Sequence, residues 1–210
     1  MKIVLATRNR DKVREIAQAF KGLGIEILTL DRFPQAPEVI EDGKTLAENA
    51  LKKAREIFRV TQVLTMADDT GLEVDYLNGQ PGVYSSRFAG ETASYDDNCT
   101  KLLALMNGVP DHLRTARFRC VIALVGSGIE KLVEGTCEGF ITKEKRGNQG
   151  FGYDPVFLVP EYHQTFAEMP LSLKNDISHR GQALKQARRI LQEMLDKESP
   201  STRHVSEIRL

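Results

Sequence analysis

Short continuous apolar runs and helical apolar stripes take turns along the first third of this chain. Residues 2–6 are a short, mostly apolar run, which predicts a buried strand. Val13, Ile16, Ala17 and Phe20 follow at helical spacing, and Gly22 and Gly24 end that helix. Residues 26–30 predict a second strand, so the chain opens β-loop-α-β. Residues 31–43 form a proline-rich, acidic connection. Thr45 and Glu48 stand at capping-box spacing, and Leu46, Ala50, Leu51, Ala54, Ile57 and Phe58 make one apolar stripe behind them. Residues 60–67 predict the next strand, ending in Asp68-Asp69 with Thr70-Gly71 as a turn.

Farther on, Leu72, Val74 and Tyr76 alternate, and Asn78-Gly79 and Pro81-Gly82 mark turns. Ser94 caps a helix reaching about Met106. Residues 114–125 and 131–142 read as a long antiparallel pair around Gly126-Ser127-Gly128. A glycine-rich loop covers 143–154, and 156–159 is a short strand closed by Pro160. Ser178 opens the last helix, whose Leu184, Ala187, Ile190, Leu191 and Met194 face the core. Residues 198–210 are polar and unpatterned, which predicts a flexible tail behind a single domain over 1–197. The fold class is α/β, a mixed β-sheet flanked by helices, in two lobes around a cleft.

Composition narrows the function classes. The chain has 210 residues, 41% hydrophobic and 28% charged, enough for a packed core. Lys plus Arg and Asp plus Glu number 29 each, and zero net charge argues against binding long nucleic acid. Cys99, Cys120 and Cys137 form no CxxC pair, so neither zinc nor a disulfide framework is expected, and the thiols read as buried and neutral. Asn98-Cys99-Thr100 fits a glycosylation sequon by chance. No apolar run reaches membrane-spanning length, and a cytoplasmic location is the expectation.

Four polar segments carry candidate chemistry. Thr7-Arg8-Asn9-Arg10-Asp11-Lys12 joins a buried strand to a helix start, where free N–H groups and the helix dipole favour anions. From spacing alone it reads equally as a phosphate cradle and as an ordinary polar loop capped by Asp11. Gly43-Lys44-Thr45 resembles the end of a P-loop, but Glu38 stands where that motif requires glycine. Glu41 and the Asp68-Asp69 pair suit a magnesium ion delivered with a nucleotide, since Mg²⁺ takes few carboxylates and completes its shell with water and phosphate. Alternation sends Asp68 and Asp69 to opposite sides, so one faces the metal. Glu41 is otherwise a solvated loop acid, and Glu48 reads as a cap.

Phe151-Gly152-Tyr153-Asp154 sits among glycines that let backbone approach a flat ligand. Phe151 offers a stacking surface and Asp154 an acceptor for ring N–H groups; alternatively Phe151 and Tyr153 belong to the core of a hairpin loop. Lys174 and Ser178-His179-Arg180 put donors at the start of the last helix, or form a capped helix with a solvated Arg180.

In their order along residues 1–195, these segments resemble the inosine triphosphate pyrophosphatases, also called Ham1-like or non-standard purine NTP pyrophosphatases. Residues 81–87 resemble a further segment of that family. The resemblance implies an elongated α/β fold with a nucleotide-binding cleft between two lobes, a cytoplasmic homodimer, and Mg²⁺-dependent hydrolysis of ITP, dITP and XTP to monophosphate and pyrophosphate. It implies Asp69 as general base and metal ligand, Glu41 as the second metal ligand, and residues Thr7 to Lys12 on the triphosphate. Phe151, Gly152, Tyr153, Asp154, Lys174, His179 and Arg180 would hold the base. Thr70 stands where members often carry Ser and keeps the hydroxyl. The alternatives are a pyrophosphatase for other modified nucleotides and a nucleotide-binding regulator without turnover.

Overall fold

A computed structural model describes residues 1–198. Of the predicted tail, 198–210, Glu198 still belongs to the last helix, and residues 199–210 lie outside the described residues. Eight strands form one mixed sheet in the order β2-β1-β3-β5-β6-β7-β8, with β4 paired to β3. Strands β1 (Lys2–Leu5), β2 (Glu26–Leu28) and β3 (Thr65–Val74) run parallel, while β4 (Pro81–Gly82), β5 (Thr115–Gly126), β6 (Ile129–Ile141), β7 (Phe157–Val159) and β8 (Gln164–Thr165) pair antiparallel. Helices α1 (Arg10–Ala19), α2 (Leu46–Thr61), α3 (Tyr95–Leu105), α4 (Leu171–Ile177) and α5 (His179–Glu198) flank it.

The apolar runs of β1 and β5 are continuous because both faces of the sheet are covered there. Ile3 and Leu5 of β1 and Ile122 and Leu124 of β5 pack with Ile16, Phe20, Leu184 and Leu191 of α1 and α5. Val4 and the alternate β5 residues Val121 and Ala123 pack on the other face with Leu46, Ala54 and Ile57 of α2. Each such Leu or Ile contributes about 1.5–3 kcal/mol on burial. A third cluster forms at the far end of the β5–β6 hairpin, where Phe118, Phe157 and Phe166 meet Leu102 and Met106 at the end of α3. The two lobes are these two ends of one long hairpin.

Several elements depart from the sequence pattern: Pro81-Gly82 is the short strand β4 rather than a turn, Tyr76 lies in a helical turn, and the 26–30 strand ends at Leu28. The apolar run 60–67 is not one strand: α2 continues to Thr61, Gln62 turns left-handed at φ 54°, and β3 begins at Thr65. Nothing in that run breaks a helix, so the pattern hides the join. Asp68-Asp69 therefore lies inside β3 rather than at its end, and Thr70-Gly71 is extended strand paired to Cys120 and Arg119, not a turn. Helix α4 has only seven residues and Pro170 before it, too short for a periodic signal. Ala17 is exposed on α1 rather than in its apolar stripe.

Candidate active site

One cavity of about 330 Å³ opens between the lobes, within the range of small-molecule sites. The end of β1, the middle of β3, the starts of α1 and α5, the 37–41 segment and the 151–154 loop all reach it. Side chains alternate along β3, but Asp68 and Asp69 are both buried because helices cover both faces. Asp68 turns toward α1 and α5, where Lys12 lies 2.9 Å away and Arg180 3.3 Å. Asp69 turns toward α2 and lines the cavity.

Around Asp69, α2 supplies two side chains that the sequence reading missed. Asn49 donates to Asp69 Oδ2 at 3.1 Å and accepts the Gly43 N–H at 2.8 Å. Gly43 has no room for a Cβ, which would lie 2.6 Å from Asn49 Oδ1. Lys53 Nζ donates to Glu41 Oε1 at 2.9 Å, to Asp69 Oδ1 at 3.3 Å and to the Asp68 carbonyl at 2.8 Å. Glu41 and Asp69 thus converge on one ammonium group. Burial pushes the Asp69 carboxyl above its ordinary range; Lys53 offsets this in part and the Glu41 charge adds to it. Burial would raise Asp68 too, but Lys12, Arg180 and Lys53 outweigh it and hold Asp68 below the usual carboxylate range.

In the Thr7–Lys12 segment, the helix cap is Asn9 rather than Asp11. Its Oδ1 accepts the Asp11 and Lys12 N–H groups at 2.9 and 3.2 Å, and Thr7 Oγ1 accepts the Asn9 N–H at 3.2 Å. Two amides that a phosphate would use are thereby taken. Thr7, Arg8, Asn9 and Lys12 line the cavity. Arg10 and Asp11 do not: α1 starts at Arg10, and about 100° per residue turns both away while Lys12 faces inward. Asp11 lies 3.8 Å from Arg14 instead.

At the other end, Phe151, Gly152, Tyr153, Asp154, Lys174, His179 and Arg180 all line the cavity, with Thr70 between. The Lys174 ammonium and Arg180 guanidinium lie 4.8 and 5.3 Å from the Phe151 ring centre, and the Tyr95 ring 5.9 Å. Lys174 pairs with Asp154 at 2.6 Å and with Glu15 at 3.1 Å. Arg180 is not solvated: it is buried, with Nη1 donating to Glu15, Nε and Nη2 to Asp68, and Nη2 also to Thr70. Five N–H groups less these four leave one for a ligand. Tyr153 is buried and its hydroxyl donates to the Ser85 carbonyl at 2.9 Å. His179 stacks on Phe118 at 4.5 Å and 12°. Burial, then the Arg180 and Lys174 charges, keep its imidazole well below the usual pKa, so it is neutral at pH 7. Its Nδ1 has no hydrogen-bond partner among the described residues.

All three cysteines are free and buried, and burial pushes their thiols to about 11 or 12. Asn98 is buried with its amide committed to Ala89 and Ser86, which removes it as a glycan acceptor. Among the described residues no helix is long and apolar enough to cross a membrane.

The sequence profile of the Ham1 family matches residues 3–190. The chain belongs to the Ham1 family. It is 55% identical over 192 residues to the dITP/XTP pyrophosphatase of Desulforamulus reducens, spanning 91% of this chain and 96% of that one. It is 51% identical to the dITP/XTP pyrophosphatase of Geobacter sulfurreducens, spanning 87% and 92%. Among solved structures, a HAM1 protein from Coxiella burnetii superposes with a TM-score of 0.85 at 41% identity, covering 92% of this chain and 99% of the other. A dITP/XTP pyrophosphatase from Mycobacterium abscessus gives 0.73 at 40% identity, covering 89% and 97%. The mixed sheet with flanking helices is thus the Ham1 fold.

Proposed function

We propose that this chain hydrolyses non-standard purine nucleoside triphosphates, ITP, dITP and XTP, to the monophosphate and pyrophosphate. The single observation that carries the reading is that one cavity joins an acid pair, Glu41 and Asp69, to an aromatic and cationic wall at Phe151, Lys174, His179 and Arg180, with Lys12 between them. That layout suits triphosphate at one end and base at the other. Residues 1–197 act as one domain, and the resemblance supports a cytoplasmic homodimer.

Glu41 and Asp69 fit a magnesium ion. They already share one positive charge, that of Lys53. No group of three or more His, Cys, Asp or Glu suited to a metal occurs among the described residues, so the remaining ligands come from phosphate and water, as Mg²⁺ prefers. When bound, the ion neutralises phosphate charge and polarises the phosphoryl group. Lys12, Arg8, Thr7 and Asn9 hold the triphosphate and oppose the charge that develops in the transition state. Asp69 takes a proton from the water that attacks the α-phosphorus, and pyrophosphate leaves. A placed carboxylate base is worth roughly 10²–10⁴-fold.

Base selection follows from donors. His179 and the one spare Arg180 N–H pair with an oxygen at C6 and are left unpaired against the amino group of adenine. An unpaired buried donor costs about 1–3 kcal/mol. Phe151 stacks on the base, Gly152 lets the backbone approach it, and Asp154, held by Lys174, accepts from it.

Product analysis with purified protein and Mg²⁺, offering ITP, XTP, dITP, ATP and GTP separately, tests the reading. Monophosphate and pyrophosphate from the first three, in preference to ATP and GTP, is the expected result. Diphosphate with phosphate, or equal turnover of all five, would overturn it.

A further inference from the structure

Glu41 lies on an irregular segment, yet the cation site asks for a carboxylate at a fixed place. Its side chain meets Lys53, and its backbone carbonyl accepts a bond of 2.9 Å from Arg87 Nη2, which is 46 positions away in the chain. Arg87 is outside the cavity lining, so it touches no substrate there.

The strap that carries Arg87 spans both lobes. Val83 packs in the cluster under α2, and Phe88 in the aromatic cluster under α3. Between them the strap is pinned by Asn98, which donates to the Ser86 carbonyl at 3.1 Å and accepts the Ala89 N–H at 2.7 Å. Ser85 is pinned in turn: its carbonyl accepts from the Tyr153 hydroxyl of the 151–154 loop, and its Oγ accepts from the Leu72 N–H of β3. A chain of contacts therefore runs from Tyr153 through Ser85 and Arg87 to Glu41.

We propose that Arg87 is a positioning residue that latches the segment carrying Glu41 to the strap anchored beside Tyr153, and so sets how tightly the cation between Glu41 and Asp69 is held. The proposal rests on the reading of Glu41 as a cation ligand. The Arg87 guanidinium bonds the Glu41 backbone carbonyl, so it fixes where Glu41 stands without using its carboxylate. Arg87 is partly exposed, with its side chain at 23%, and its nearest carboxylate, Glu91, is 3.7 Å away and solvated. Its loss leaves no buried charge unpaired, so the fold survives.

Wild type, Arg87→Ala and Arg87→Lys are titrated with Mn²⁺ in the presence of an ITP analogue bearing an imido bridge between its α and β phosphorus atoms. Free Mn²⁺ is read by electron paramagnetic resonance. Arg87→Ala should bind Mn²⁺ about tenfold more weakly, a difference of about 1.4 kcal/mol, and Arg87→Lys, which keeps a donor, should recover part of it. Affinity for IMP without metal, measured by calorimetry, and the melting temperature should not change. Unaltered Mn²⁺ affinity in Arg87→Ala would overturn the proposal, as would equal loss of Mn²⁺ and IMP affinity, the sign of a collapsed strap. Absence of ITP hydrolysis by wild type would sink the proposed function separately, because the Mn²⁺ comparison needs no turnover.

Discussion

Lys53 and Asp69 stand 3.3 Å apart on the floor of the cavity, and the same ammonium group lies 2.9 Å from Glu41. Both carboxylates depend on it: among the described residues no other side-chain cation reaches Glu41 and Asp69 at salt-bridge distance. The sequence reading took the two acids alone and missed the charge that holds them together.

Replacing Lys53 with Met should therefore be costly without metal and less so with it. Removing one partner of a buried pair typically costs about 3–5 kcal/mol. Mg²⁺ between the same carboxylates returns the missing charge. Urea denaturation of wild type and Lys53→Met should show Mg²⁺ stabilising the variant more than the wild type. Equal Mg²⁺ effects on both would mean that Lys53 and the metal do not share the acids.

Much of the frame was legible. β1, α1, the α2 stripe, the Ser94 cap and the β5–β6 hairpin follow from apolar period and turn residues, since packing on covered faces imposes those periods. The centre of the site was less so. Asn49 and Lys53 interrupt the buried face of α2 between Leu46, Ala50, Ala54 and Ile57, and that i,i+4 polar pair was the available signal. Glu15 sits beside Ile16 in the same way. Arg180 read either as a free donor or as a solvated side chain, because its partners Asp68 and Glu15 are 112 and 165 positions away and no local pattern reports them.

His179 gives a pH signature. Its folded pKa is depressed by burial, so below about pH 6.5 the unfolded chain binds a proton that the folded protein refuses. Stability contributed by the neutral imidazole is complete above pH 6.5 and is lost as pH falls, until the folded pKa is reached. Comparing wild type with His179→Gln by urea titration, the difference should shift against the wild type as pH falls from 7 to 5. Parallel pH curves would contradict a buried neutral His179.

Gly150 guards the base end. It has φ +73°, and a Cβ there would collide with Asp154 Oδ2, the atom that accepts from Lys174 and the Phe151 N–H. Gly150→Ala should displace that carboxylate and weaken IMP binding, by about tenfold or more in a calorimetric titration, while the Mg²⁺ dependence of turnover stays as in wild type. Unchanged IMP affinity would show that Asp154 does not hold the base.

The central claim is water attack at the α-phosphorus beside Asp69. Hydrolysis of ITP in H₂¹⁸O, with mass spectrometry of both products, tests it most directly. Attack at the α-phosphorus places the label in IMP and leaves pyrophosphate unlabelled. Label in pyrophosphate would move the attack to the β-phosphorus and contradict the account.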